Sequence, residues 1–552
     1  MTVCFLASCS GNGNNFGEKV KQVSIHRVDS MPDMPETYKM LDWKQKAQKY
    51  DQFIFDWNNK SEVGPLIWLD DTRRNMDQTT FGLYTAIKDI RQGKNANNGE
   101  FHESLNSLAA ILGAGLVGID KTNQDGYNYV KMVQNYFNSD NGWNIVMNNT
   151  TPSVALLGGG YGRDWWYDVL PNALYYAICD VFPNVDGAEK IQKSIAEQFV
   201  KADSVLNGNY DYIPLQQDAA GGHAYVLLCA YHKFGDPRYL QHSKSAIEAL
   251  LAQKESRFYE ALLPLGVYTA AYLNAVEGAN YDVAKLLDWV FDGCKSPAGR
   301  TGWGIIVGKW GDYDVSGLQG SITDGGGYAF LMNSIKPAWP FIPMVKYQPQ
   351  YAKAIGKWML NNASACRLFY PGEIDETHQW APELKDITYD NVSYEGLRKT
   401  DDYGKASLKG VSPVAIGDGP KWIKGNPTES MFSVYSSSPV GILGAIVCQT
   451  NVEGILRLDC NVTDFYTEKP YPVYLYYNPH KETKTITYQA TQPCDLFDIV
   501  AKEYIAKNIK TNGSVEIPAN DARVIVELPA GTELELKNGK IIANKQNIIS
   551  YN

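Results

Sequence analysis

From about residue 41 to residue 362 the apolar positions recur at three- and four-residue spacing, the signature of helices with one buried face. The pattern predicts helices over 41–58, 79–91, 103–112, 126–137, 167–179, 187–206, 222–234, 237–252, 258–275, 281–291 and 347–362. Ile191, Ile195, Phe199 and Val205 illustrate the spacing in one of them. Asp236 before Pro237 reads as an N-cap followed by proline at the first helical position. The loops between helices are rich in Gly, Asp, Trp and Tyr. No βαβ alternation appears, which argues against Rossmann and TIM-barrel architectures. A helical solenoid should repeat at a fixed period, and no such repeat is visible. The expectation is a closed ring of helix hairpins, an (α/α)6-toroid, with functional loops gathered at one mouth.

The pattern changes further on. Residues 363–435 read as a loop-rich connector dense in Gly, Pro, Asp and Tyr. Beyond them come short runs of strand composition at 440–449, 454–458, 473–477, 483–488, 514–517, 522–528 and 532–536. Asn478-Pro479, Asn512-Gly513 and Asn538-Gly539 punctuate them as turns. This reads as an antiparallel β-sandwich. The expected domains are a leader and linker over 1–40, the toroid with its connector over 41–435, and the sandwich over 436–552.

A chain of 552 residues is too long for one ordinary core, in keeping with two or three domains. Aromatic content is unusual, with 36 Tyr and 13 Trp, and suits either ring stacking on glycans or large helical cores. The formal charge of −10 argues against nucleic acid as the main partner. The nine cysteines include no C-x-x-C pair, and their odd number does not suggest a disulfide framework. Residues 5–9, Phe-Leu-Ala-Ser-Cys, resemble a bacterial lipobox. A lipidated Cys9 is the single membrane attachment expected, with 10–17 as its tether and a true start upstream. That places the protein in the bacterial periplasm or at the outer membrane. Oligomeric state is not legible.

The densest chemistry lies in 157–168, Leu-Gly-Gly-Gly-Tyr-Gly-Arg-Asp-Trp-Trp-Tyr-Asp. Its glycines forbid regular structure and allow close backbone approach. Tyr161, Arg163, Asp164, Trp165 and Trp166 then supply rings, a forked cation and a carboxylate, the components of a sugar-binding wall. Glycoside hydrolysis needs two carboxyl groups, one protonated and one ionised. The candidates are Asp164, Asp324 in the polyglycine run 321–328, Glu395 in 391–397, and Asp218 in 216–225 beside His223. Trp303 and Trp310, flanked by glycines in 301–312, join Tyr328 as candidate stacking surfaces. Each has a plainer role as well. Aspartate before glycine forms turns, Asp218 can cap a helix, Arg163 can pair with Asp168, and the rings and His223 can be core.

The helical region followed by a sandwich with Tyr-Leu-Tyr-Tyr-Asn-Pro at 474–479, Asp-Leu-Phe-Asp at 495–498 and Ala-Arg-Val-Ile-Val at 522–526 resembles α/α-toroid carbohydrate-active enzymes. Among these it most resembles the β-glucuronidase-type glycoside hydrolases of Bacteroidetes. The resemblance implies an oligosaccharide or polysaccharide substrate, release of a terminal uronic acid by two-carboxylate catalysis, and no cofactor. It carries no catalytic residue across one by one. Two alternatives stay open: a polysaccharide lyase with Tyr161 or His223 as base and Arg163 on the uronate, and a non-catalytic glycan-binding protein. The seven histidines form no H-E-x-x-H, no cluster has zinc spacing, the glycines at 158–162 do not complete G-x-G-x-x-G and follow no βαβ context, and Walker A and G-x-S-x-G are absent. The acidic loop 311–314 suits calcium only weakly, and no metal is assigned.

Overall fold

The computed structural model describes residues 16–93, 102–139, 143–150, 168–206, 218–294, 302–322, 327–400, 405–490 and 492–551. Among them, six helices close a ring: Ser104–Leu116, Leu170–Val181, Ala219–Phe234, Leu262–Glu277, Ala338–Tyr347 and Val440–Ile446. Each packs on the next, and Val440–Ile446 returns to Ser104–Leu116. Most of these helices are buried around nearly their whole circumference, as an inner layer must be. A second layer covers them. Trp43–Ile54 lies on Val440–Ile446, Ala188–Leu206 and Pro237–Ala252 lie on Ala219–Phe234, and Val283–Phe291 lies on Leu262–Glu277. These outer helices are one-sided: Pro237–Ala252 buries Tyr239, Ser243, Ala246, Ile247 and Leu250, a single helical stripe.

The inner helices run in the same direction. Gly221, at the start of Ala219–Phe234, abuts the Leu262 carbonyl at the start of its neighbour, and Gly222 meets Val169 just before Leu170–Val181. Gly113 and Val117 face Gly441 and Gly444 in matching order. A Cβ on Gly441 would come within 2.1 Å of the Gly113 carbonyl oxygen, so glycine is required for the two backbones to touch. All six N-termini therefore open on one mouth. A five-stranded antiparallel sheet borders that mouth, in the order Val414–Ile416, Gly396–Arg398, Tyr328–Phe330, Gln319–Ser321, Trp303–Ile305.

Several expectations need correction. Residues 79–91 are not a helix: Thr80–Leu83 is a strand paired with Ile67–Asp70, and turns follow. Gly82, costly inside a helix, lies against the Trp68 ring in that strand pair. Residues 126–137 hold only the short helix Tyr129–Met132 and the 3-10 turn Val133–Tyr136. Val440–Ile446, expected as a strand, is the last inner helix, so the sandwich strands begin at Val447 rather than 436. An apolar run buried on all sides has the same composition in either state. The connector is not mere loop, since helix Ala352–Cys366 runs into it and two of its segments pair in the sheet at the mouth.

The part of the leader that is described, 16–42, is a packed strap. Phe16 meets Phe497 edge-on, Val20 N donates to Val500 O, and Val23 N donates to Gln350 O. Arg27 Nε donates to Ile305 O and Arg367 to Thr37 O, so the strap ties sandwich to ring. Cys9 lies outside the described residues. The sandwich itself sets a six-stranded sheet, Val447–Gln449, Leu456–Asp459, Val473–Tyr477, Ala522–Pro529, Cys494–Asp498, Glu503–Ile509, against the pair Lys484–Gln489 and Asn512–Ile517. Ile455, Tyr476, Ile486, Tyr488, Val515 and Ile525 fill the space between them. The other face of the large sheet packs on Ala352–Cys366, where Gly356 admits the Tyr477 side chain.

The segment 460–469, between two sandwich strands, enters the end of the ring opposite the mouth. Buried Asp464 accepts from Tyr268, from Tyr347 Oη at 2.8 Å and from the Lys346 ammonium. Thr463 Oγ1 donates to Trp339 O and Tyr466 Oη to Tyr176 O. The two domains thus share one polar lock. Among the described residues no helix is long and apolar enough to cross a membrane.

Candidate active site

Because the inner helices share one direction, the residues just before them converge on the mouth. Glu103 stands immediately before Ser104–Leu116, Asp218 before Ala219–Phe234, and Glu260 two residues before Leu262–Glu277. The bordering sheet adds Glu395, next to strand Gly396–Arg398, and Asp418, two residues past Val414–Ile416. Five separate stretches of sequence thereby bring their carboxyl groups to the mouth, in two groups.

Glu395 is the centre of the first group. Tyr328 Oη donates to its Oε1 at 2.6 Å, and Asp418 is in side-chain hydrogen-bond contact with it. Burial, followed by the Asp418 charge, raises the Glu395 pKa well above the carboxylate range, more than Tyr328 and Arg91 lower it. Two adjacent carboxyls that cannot both ionise hold one proton between them. Arg91 sits beside Asp418, 3.5 Å away, and is itself fixed by Asp89 through Nη2 at 2.6 Å and Nε at 2.9 and 3.0 Å. Glu103 accepts from Asn148 Nδ2 at 2.6 Å, and burial pushes its carboxyl up to about 7 despite Arg91. The mouth therefore holds a proton donor, an ionisable partner and a cation within one network.

A row of rings borders it. Tyr259 meets Trp303 at 5.8 Å, Trp303 meets Tyr328 at 6.4 Å, and Phe330 meets Tyr435 at 6.1 Å. The Arg398 guanidinium lies 4.1 Å from the Tyr328 ring centre and 5.5 Å from that of Trp422, whose side chain is exposed. Trp303, Phe330 and Tyr435 are buried core rings, and Trp422 presents an exposed apolar face beside polar groups.

The second group surrounds Glu260. Asn333 Nδ2 donates to its Oε2 at 3.1 Å, and Lys336 faces it, its ammonium pKa lowered by burial to about 7 against the pull of the Glu260 charge. Asp218 is fully buried; its Oδ2 accepts from Tyr259 N at 3.2 Å. Burial, with the Glu260 charge adding to it, raises Asp218 from its ordinary 3.8 to about 8. A raised carboxyl stabilises the fold fully below its unfolded value, and that contribution is lost as pH rises toward the folded value. Asp218→Asn is therefore expected to match the wild type near pH 4 and to exceed it in thermal stability at pH 8. Equal stability of the two proteins across that range would contradict the assigned protonation.

Several sequence candidates are placed differently. Asp164, Asp324, Arg163, Tyr161, Trp165 and Trp166 lie outside the described residues. Glu395 and Tyr328 are hydrogen-bonded partners, and Trp303 belongs to the ring row. His223 does not face the mouth. It packs on Phe199 of the outer helix at 4.7 Å, and burial lowers it to about 4, which leaves it a neutral core histidine. Trp310 is buried in the hairpin Lys309–Trp310 and Tyr313–Asp314, whose Gly311 abuts Ser412, and packs as core. Asp418, Arg91, Glu103 and Glu260 were not anticipated. Asp418 between Gly417 and Gly419 reads as a turn, and Arg91 fell in an expected helix. A cavity of about 830 Å³ opens elsewhere, between the strap, Tyr281, Tyr351 and Tyr551. Its Asp282 caps helix Val283–Phe291 at 2.9 Å, a structural task. Among the described residues no group of three or more His, Cys, Asp or Glu is placed to hold a metal.

No family model and no curated protein matches the chain. Solved structures do. A GH127 β-L-arabinofuranosidase from Geobacillus stearothermophilus T6 aligns at TM-score 0.40 and 10% identity, over 92% of this chain and 85% of that one. A second GH127 β-arabinofuranosidase aligns at 0.38 and 10%, over 93% and 84%. The endoglucanase CelQ from Clostridium thermocellum, complexed with cellotriose, aligns at 0.35 and 11%, over 94% and 99%. Likenesses of this size do not assign a reaction, and the chemistry of the mouth must carry the function.

Proposed function

We propose that the mouth of the ring hydrolyses a glycosidic bond, with Glu395 as the general acid. The observation that carries this reading is the Glu395–Asp418 pair: a carboxyl kept protonated beside a like charge, held by Tyr328 and bordered by Arg398 and the exposed Trp422 ring. Hydrolysis requires a proton for the departing sugar oxygen at a pH where free carboxyls have lost theirs, and this geometry supplies it. The exposed Trp422 ring beside Arg398 suits the apolar face of a sugar. A non-catalytic glycan binder has no use for a carboxyl with raised proton affinity.

The finer reading is release of a terminal uronic acid, as in β-glucuronidase-type enzymes. Arg398, between Tyr328 and Trp422 at the rim, is a forked cation that suits a uronate carboxylate, and Arg163 is the second candidate. The lyase alternative loses one of its two bases: His223 is buried in the helix layer, packed on Phe199, while Tyr161 lies outside the described residues. The resemblance of residues 5–9 to a lipobox supports a place in the cell envelope.

The test is incubation with a panel of uronate-containing oligosaccharides, following both released sugar and the ultraviolet absorbance of a C4–C5 double bond. Released uronic acid without absorbance is expected. Rising absorbance would overturn the hydrolase reading, and binding without either signal would favour the glycan-binding one.

A further inference from the structure

We infer that Glu260 is the second carboxyl of the reaction, the group that activates water or attacks the anomeric carbon, and that the pocket around it holds sugar hydroxyls. The inference rests on the hydrolase reading above and names a residue which that reading leaves open.

Three observations carry it. The first is position. Gln319 Nε2 donates to the Glu260 carbonyl, and Gln319–Ser321 lies beside Tyr328–Phe330, which lies beside Gly396–Arg398 next to Glu395. Two strand spacings separate Glu260's anchor from the Glu395 strand, about 10 Å. Carboxyl pairs that cleave glycosides stand about 5 to 9.5 Å apart, within reach of side chains on that frame. Trp303, buried between Tyr259 and Tyr328, packs the interval.

The second is strain. Glu260 has φ +71°, a left-handed conformation that side chains with a Cβ rarely adopt. Such a residue costs about 1 kcal/mol or more and persists where surrounding contacts over-determine it, often at reacting sites. Those contacts are the Gln319 bond to its carbonyl and the Asn333 bond to its carboxylate.

The third points to a ligand. Asp218 Oδ1, Gln319 Oε1 and Asn333 Oδ1 are buried with no hydrogen-bond partner among the described residues. Leaving three such oxygens unsatisfied is costly, and all three belong to residues that touch or flank Glu260. A polyhydroxyl ligand brings several hydroxyls, each both donor and acceptor, in a compact frame: they donate to the two amide oxygens and accept from the protonated Asp218. Buried Lys336 faces Glu260: burial lowers the ammonium pKa to about 7, and the Glu260 charge opposes that shift.

The step balances. The C1–O glycosidic bond breaks, and the leaving oxygen takes the Glu395 proton. An oxygen bonds to C1, either from water, whose proton passes to Glu260, or from the Glu260 carboxylate itself, which water later displaces.

The experiment compares full-length wild type, Glu395→Gln, Glu260→Gln and Glu260→Ala on an aryl glycoside of the released sugar, with and without sodium azide. Both Glu260 variants are expected to lose at least about a hundredfold in kcat with little change in KM. Azide should restore turnover of Glu260→Ala and yield the glycosyl azide, because the small anion fills the space and bonds to C1. Normal turnover by Glu260→Gln, or a loss that azide leaves untouched in folded Glu260→Ala, overturns the inference, while the loss of Glu395→Gln on an unactivated glycan, assayed alongside, still reports on the hydrolase reading. If Glu260→Ala does not fold, the kcat of Glu260→Gln decides. A wild type that turns over no member of the panel removes the hydrolase reading and this inference with it.

Discussion

Glu395→Gln should lower hydrolysis of an unactivated glycan by about 10²–10⁴-fold, while an aryl glycoside with a good leaving group is cleaved at close to the wild-type rate. The amide keeps the size of the side chain and can still accept from Tyr328 Oη, so the fold is not at issue. It has no acidic proton. An alkoxide leaving group needs that proton, whereas an aryl oxide departs without it, and the contrast between the substrates isolates the role. The pH profile adds a second reading. Burial and the Asp418 charge hold Glu395 protonated well above the carboxylate range, so the basic limb of kcat/KM should lie above that range too. Asp418→Asn removes a neighbouring negative charge, lets Glu395 ionise more readily and should move that limb to lower pH. Equal losses on both substrates, or a limb that Asp418→Asn leaves in place, would assign Glu395 a structural task.

The second large effect is on stability. Asp464 sits fully buried at the closed end of the ring and accepts from Tyr268, Tyr347, Lys346 and Thr467. Asp464→Ala leaves the Lys346 ammonium, only 12% exposed, and two phenols without their acceptor. Removing one partner of a buried ion pair costs about 3–5 kcal/mol, chiefly through the charge left behind. The segment 460–469 joins two sandwich strands, so the loss should appear as earlier separation of sandwich from ring, read by limited proteolysis alongside thermal unfolding. Unchanged proteolysis and unfolding would show that the apolar contacts, such as Trp339 on Phe465, hold the domains without it.

The helical ring was partly legible because its outer layer obeys a local rule. Asp236 caps its helix through Arg238 N at 3.0 Å with Pro237 at the first turn, as the sequence pattern suggests. Inner helices are harder. Val440–Ile446 is buried on every side, so its apolar residues carry no period that separates helix from strand. The strands at the mouth are two or three residues long and pair across large sequence separations, as Tyr328 with Arg398, which no local pattern announces. The site was legible only in fragments. Glu395 and Tyr328 were both candidates, yet their contact, and the approach of Asp418 and Arg91, follow from ring closure rather than from spacing. Glu260 left no mark in the sequence, because a left-handed glutamate is held by Gln319 and Asn333 from elsewhere.

The measurement that bears most directly on the account is the mass balance of the wild-type reaction on a defined uronate-containing oligosaccharide. The account predicts two products that together weigh one water more than the substrate, with that water bound at the anomeric carbon. Products that sum to the mass of the substrate, one of them unsaturated, would contradict it.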